Sequence, residues 1–152
     1  MQASTTILCT LVSLAAVWDV SQRRIPNRLV FPGIVVGLAF QAQSDGIVGL
    51  GLSLLGIATA LAILIGPFAL RLLGGGDVKL AMLCGAFTSW LGAIEIILIG
   101  TVLHGFFALV VVLASRVFVS FGRPPPFQDG LPHAVGFALA TLLYASNMIR
   151  LF

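Results

Sequence analysis

The acidic residues of this chain are few and unusually placed. Asp19, Asp45, Asp77, Glu95 and Asp129 are scattered through 152 residues, of which 59% are hydrophobic and 9% charged. Asp19 stands in WDVSQRRIPNRL (18–29), and Asp77 follows three consecutive glycines in LLGGGDVKLA (72–81). Two carboxyl groups close enough to share a proton cannot both ionise. The ionised one can activate water as a general base. The neutral one can polarise a carbonyl and later protonate a leaving amine. The chemistry these residue types offer is therefore hydrolysis of a peptide bond, provided the fold brings Asp19 and Asp77 together.

Each aspartate also has a structural reading. Asp19 precedes Arg23 by four residues, which is ion-pair spacing on a continuing helix. Asp77 precedes Lys79 by two, and residues at that spacing do not share a helix face. Gly74, Gly75 and Gly76 let the backbone leave helical geometry without a Cβ clash, and let a substrate or neighbouring helix approach closely. Pro26 and Asn27 suit a turn closing the first helical hairpin. His104 and Glu95 fall in one apolar segment; the first reads as a helix–helix hydrogen-bonding group, the second as a hydrated residue near an interface. Pro132 suits the first turn of a last helix. His104 and His133, with no HExxH pattern, leave no ligand set for a metal, and no cofactor is expected. Cys9 and Cys84 both lie in apolar segments and read as small buried hydrophobes.

The elements that must position these residues are membrane helices. About 20 apolar residues cross the hydrocarbon core. Candidate spans run over 2–18, 28–43, 46–70, 78–92, 93–115 and 131–149, with RVFVSFGRPPPFQDG as the longest link. The expected fold is thus all-α and polytopic, one transmembrane domain over 1–152 with six helices. The short segments 28–43 and 78–92 leave four full spans with two re-entrant segments as the alternative. The N-terminus lacks the basic region of a signal peptide and reads as a retained first span. With six spans, one side receives Arg23, Arg24, Arg28, Arg71, Lys79, Arg116 and Arg123, and the other only Arg150. The positive-inside rule makes the first side cytoplasmic and puts both termini outside. Basic residues placed beside apolar segments are a topology signal, so no nucleic-acid partner is expected. On this layout Asp19 and Asp77 lie at one depth, the cytoplasmic face.

The pair of motifs resembles the type IV prepilin peptidases, intramembrane aspartyl proteases of the GxGD class. The first motif is Asp19 followed by Arg23, Arg24, Ile25, Pro26 and Asn27; the second is Gly74, Gly75, Gly76, Asp77, Val78 and Lys79. The resemblance implies that Asp19 and Asp77 are catalytic, supported by Gly74, Gly75, Gly76, Lys79, Pro26 and Asn27. It implies removal of leader peptides from prepilins at the cytoplasmic face of the inner membrane, in pilus biogenesis. The partners are then a prepilin substrate and membrane lipid. Larger members carry a cysteine-rich insert after the first helix and also N-methylate the product. Here a short link follows Asp19 and the cysteines are absent, so the chain looks like the short, peptidase-only members acting on Flp-type prepilins. Archaeal preflagellin peptidases share the same logic. Two other functions compete, a small proton-coupled transporter or channel subunit and a non-catalytic pilus-assembly scaffold. A proton relay belongs near the bilayer midplane, and a scaffold gives no reason for glycines immediately before an acid.

Overall fold

The computed structural model describes residues 2–22, 24–120 and 134–146. They form five helices and, among the described residues, no strand: α1 (Gln2–Gln22), α2 (Asn27–Ala69), α3 (Gly75–Phe87), α4 (Trp90–Ser120) and α5 (Ala134–Ala145). Helices over Ala3–Gln22, Asn27–Ala69 and Trp90–Arg116 are long and apolar enough to cross a membrane. Large apolar side chains cover the outside, among them Ile47, Val102 and Phe106, which is the surface a lipid-embedded protein presents.

The 43 residues of α2 would make a straight rod of about 65 Å, twice the hydrocarbon thickness. The helix instead reverses at Asp45 and Gly46, where Gly46 takes φ 60, ψ −139. Side-chain hydrogen bonds prove the reversal. Gln41 Nε2 donates to the Phe87 carbonyl at 3.1 Å, and Ser53 Oγ donates to the Ala86 carbonyl at 2.9 Å. In an unbroken helix residues 41 and 53 would be about 18 Å apart. One limb, 27–44, therefore runs alongside α3, with Gly33 against Leu83 and Gly37 against Phe87. The other, 47–69, returns antiparallel to α3, with Gly56 against Gly85 and Phe68 against Gly75. These limbs correspond to the two candidate spans 28–43 and 46–70.

Small residues make the core tight. The buried face of the second limb reads Gly49, Ser53, Gly56, Ala60, Leu64, a repeat of three or four residues that keeps one stripe toward α3. At Gly56 and Gly85 the two backbones touch, and a Cβ on Gly85 would stand 2.5 Å from the Gly56 carbonyl. On the other side Gly136 of α5 meets Gly100 of α4. The result encloses α3, which packs on all four other helices and is buried over most of its length.

At 13 and 12 residues, α3 and the described part of α5 reach only about 20 Å, short of a full span. The segment read as 78–92 thus divides at Thr88 and Ser89. Thr88 is extended (φ −118, ψ −175), its Oγ1 turns back onto the Cys84 carbonyl at 2.9 Å, and Trp90 starts α4.

Ends of helices are set by local chemistry. Pro26 disfavours helix at Ile25 and then caps α2, its carbonyl accepting from Leu29 N–H at 3.0 Å. At the far end of α2, Leu72 N–H reaches Pro67 O at 2.9 Å and Arg71 N–H reaches Phe68 O at 3.0 Å, the Schellman pattern. Its left-handed position, usually glycine, is here Arg71 with φ 58.

The Gly56–Gly85 contact yields a test. Gly85→Leu should lower stability by about 3 kcal/mol or more, because rigid backbone blocks the new side chain. Gly51→Leu, on α2 with open space around it, should change little. Thermal unfolding in detergent micelles compares the two.

Candidate active site

The two aspartate motifs meet at one end of the bundle. Asp19 lies in the last turn of α1, which ends at Gln22. The link 24–26 that follows is laid across the first turn of α3. Ile25 covers Gly76 so closely that a Cβ there would stand 3.2 Å from Ile25 Cδ1. One residue beyond Pro26, Asn27 Oδ1 accepts a hydrogen bond from Lys79 Nζ at 2.8 Å. Two residues of the Asp19 motif thus bracket Asp77: Ile25 packs on the residue before it, and Asn27 ties to the residue two positions after it.

Asp77 is the third residue of α3 and is 4% exposed. Its Oδ2 accepts the Gly74 backbone N–H at 3.2 Å, while its own N–H donates to the Gly74 carbonyl at 3.1 Å. A carboxylate in the first turn also faces the positive end of the helix dipole. Asp77 is therefore both buried and oriented by its own helix start. Asp19 is half-buried, and its Oδ2 accepts the N–H of Ala134, first residue of α5, at 3.1 Å. The helix after Asp77 and the helix at the other end of the chain each present an N-terminal amide to one of the two carboxylates.

Some residues follow the sequence reading and others depart from it. The glycine run does not unwind the chain. Gly74 is extended at φ −77, ψ 151, a conformation open to any residue, and Gly75 and Gly76 are already inside α3. What requires the missing side chain at Gly76 is the approach of Ile25. Lys79 pairs with Asn27 across the two motifs. Glu95 is buried in α4 at 3% exposure, against the expectation of a hydrated interface. His104 packs against Gly136, one turn into α5. Cys84 is buried and free, its Sγ 3.6 Å from Thr141 Oγ1, and Cys9 is free and partly buried. Arg23, Asp129, Pro132 and His133 lie outside the described residues. No group of three or more His, Cys, Asp or Glu side chains among the described residues is arranged to hold a metal.

Sequence reading named Ile25 only as a motif letter and did not find Ala134 at all. The first had a visible signal, an isoleucine fixed between a basic pair and a proline. The second had none, because Ala134 contributes a backbone N–H that any residue but proline carries.

Residues 6–109 match the model of the type IV leader peptidase family, and this range contains both aspartate motifs. The chain belongs to that family. No curated protein and no solved structure matches the chain. Family membership makes it a protease, and α5 with its Ala134 contact lies beyond the matched residues.

If the Lys79–Asn27 bond sets the fit of the link on α3, Lys79→Met and Asn27→Ala should each slow leader-peptide cleavage roughly three- to tenfold. The double variant should be no slower than the worse single one. Rate measurements on all three in proteoliposomes give the coupling; additive losses would show that the two side chains act separately.

Proposed function

We propose that this leader peptidase is an aspartyl endopeptidase whose catalytic pair is Asp19 and Asp77, acting on type IV prepilins of the Flp type at the cytoplasmic face of the inner membrane. The observation that carries the reading is the packing of the Asp19 motif onto the Asp77 motif through Ile25, Gly76, Asn27 and Lys79. One carboxylate takes a proton from water as that water adds to the scissile carbonyl. The other, protonated, donates a hydrogen bond to the carbonyl oxygen. Collapse of the tetrahedral intermediate then passes a proton to the departing amine.

The reading includes one domain of six membrane segments with both termini outside, the two limbs of α2 counting as two. Trp18 and Trp90, both exposed, sit at opposite ends of the bundle, as residues of two interfacial belts do. Arg24, Arg28, Arg71 and Lys79 all stand at the aspartate end, which agrees with a cytoplasmic site. Burial of Asp77 and its place at a helix start beside basic residues favour this chemistry over a midplane proton relay.

Co-expression with a Flp-type prepilin tests it. Asp19→Asn and Asp77→Asn should each abolish leader removal, by at least about 1,000-fold, while inserting at wild-type levels, and the losses should not add in the double variant. Processing by either single variant would remove that residue from the catalytic pair.

A further inference from the structure

Asp19 sits where two helix ends meet. It belongs to the last turn of α1, whose unsatisfied carbonyls form the negative end of the helix and disfavour a carboxylate. Asp77 has the opposite situation, since its own helix start supplies an amide. Asp19 must obtain a compensating donor from elsewhere, and the donor is Ala134 N–H at 3.1 Å. That N–H is one of the amides a helix cannot satisfy internally, and it lies at the positive end of α5. The donor is rigidly mounted. Ala134, Gly136, Phe137, Ala138, Ala140 and Thr141 are buried, and α5 packs on both α1 and α4.

We propose that the Ala134 backbone amide is a positioning group of the active site, fixing the orientation of the Asp19 carboxyl group. The inference rests on the aspartyl-protease reading and adds a helix beyond the family-matched residues to the machinery. A hydrogen bond from an amide to a carboxylate is charge-assisted and directional, so it fixes how the carboxyl group is turned. Here Oδ2 is the engaged oxygen. Other ionisable groups surround this end. Asp77 and Lys79 stand on α3, Arg24 in the link, Arg28 on α2, and His104 on α4 beside Gly136. Lys79 is directed to Asn27, and Arg24 and Arg28 are exposed.

The test replaces Ala134 by lactic acid in cell-free synthesis of the full chain into liposomes. This changes the peptide N–H at that position to an ester oxygen and leaves the methyl side chain in place. Ala134→Pro is the second variant, because proline also lacks the donor and is tolerated at a helix start. Both kcat and KM are measured for cleavage of a peptide joining a basic leader to an apolar helix, with Asp19→Asn alongside. The expected result is a kcat lower by about tenfold in the ester protein, the size of one lost charge-assisted hydrogen bond, with KM within about threefold of wild type. A role confined to packing would lower the yield of folded protein and leave kcat per folded molecule in place. An unchanged kcat in both variants overturns the proposal while leaving the catalytic pair standing. Wild-type cleavage by Asp19→Asn would instead remove the reading on which it rests.

Discussion

The side chain of Ile25 lies where Gly76 has none, and the rest of the site depends on that fit. The link from α1 to α2 is too short to wander, and Pro26 fixes its exit into α2. Seating Ile25 on the first turn of α3, and Asn27 on Lys79, therefore ties the end of the helix carrying Asp19 to the start of the helix carrying Asp77. A Cβ at position 76 would make the Ile25 side chain give by a few tenths of an ångström, and Ile25 is packed against apolar neighbours.

Such a contact has to be held in a setting that supplies little hydrophobic force. Between lipid-embedded helices the attraction comes from close packing and hydrogen bonds. The core accordingly uses glycine, alanine and serine where α2 meets α3, and lets Ser53 and Gln41 donate to carbonyls at the end of α3. These bonds satisfy carbonyls that the last turn of a helix leaves without partners. They also anchor α3 at the end opposite Asp77, so the short helix is clamped at both ends: by the α2 limbs above and by the Ile25–Asn27 link below. Each carboxylate accepts a backbone amide at a helix start, which helps to accommodate an acidic group in an otherwise apolar molecule.

Much of this was legible in the residues. The reversal of α2 shows as the polar interruption QAQSDG between two apolar runs, and Gly46 takes the positive φ that such a reversal needs. Ile25-Pro26-Asn27 and the glycine run announced two special places. Hydropathy does not separate a helix that crosses lipid from one enclosed by other helices, so α3 and the described part of α5 read as spans although they are short. The burial of Glu95 was hidden for the same reason, since an acid near the end of an apolar segment looks exposed until the neighbouring helices are in place. The role of Gly76 was partly legible. A glycine can serve backbone freedom or close approach, and only the partner, Ile25, decides between them.

The central claim is that Asp19 and Asp77 form one catalytic unit around a single water and carbonyl. Binding of a substrate peptide whose scissile amide is replaced by a hydroxyethylene group tests it most directly, because that hydroxyl takes the place of the tetrahedral intermediate between two carboxyl groups. The account predicts that Asp19→Asn and Asp77→Asn each weaken binding by at least about 100-fold, with no further loss when combined. Undiminished affinity in either variant, or losses that multiply, would contradict it.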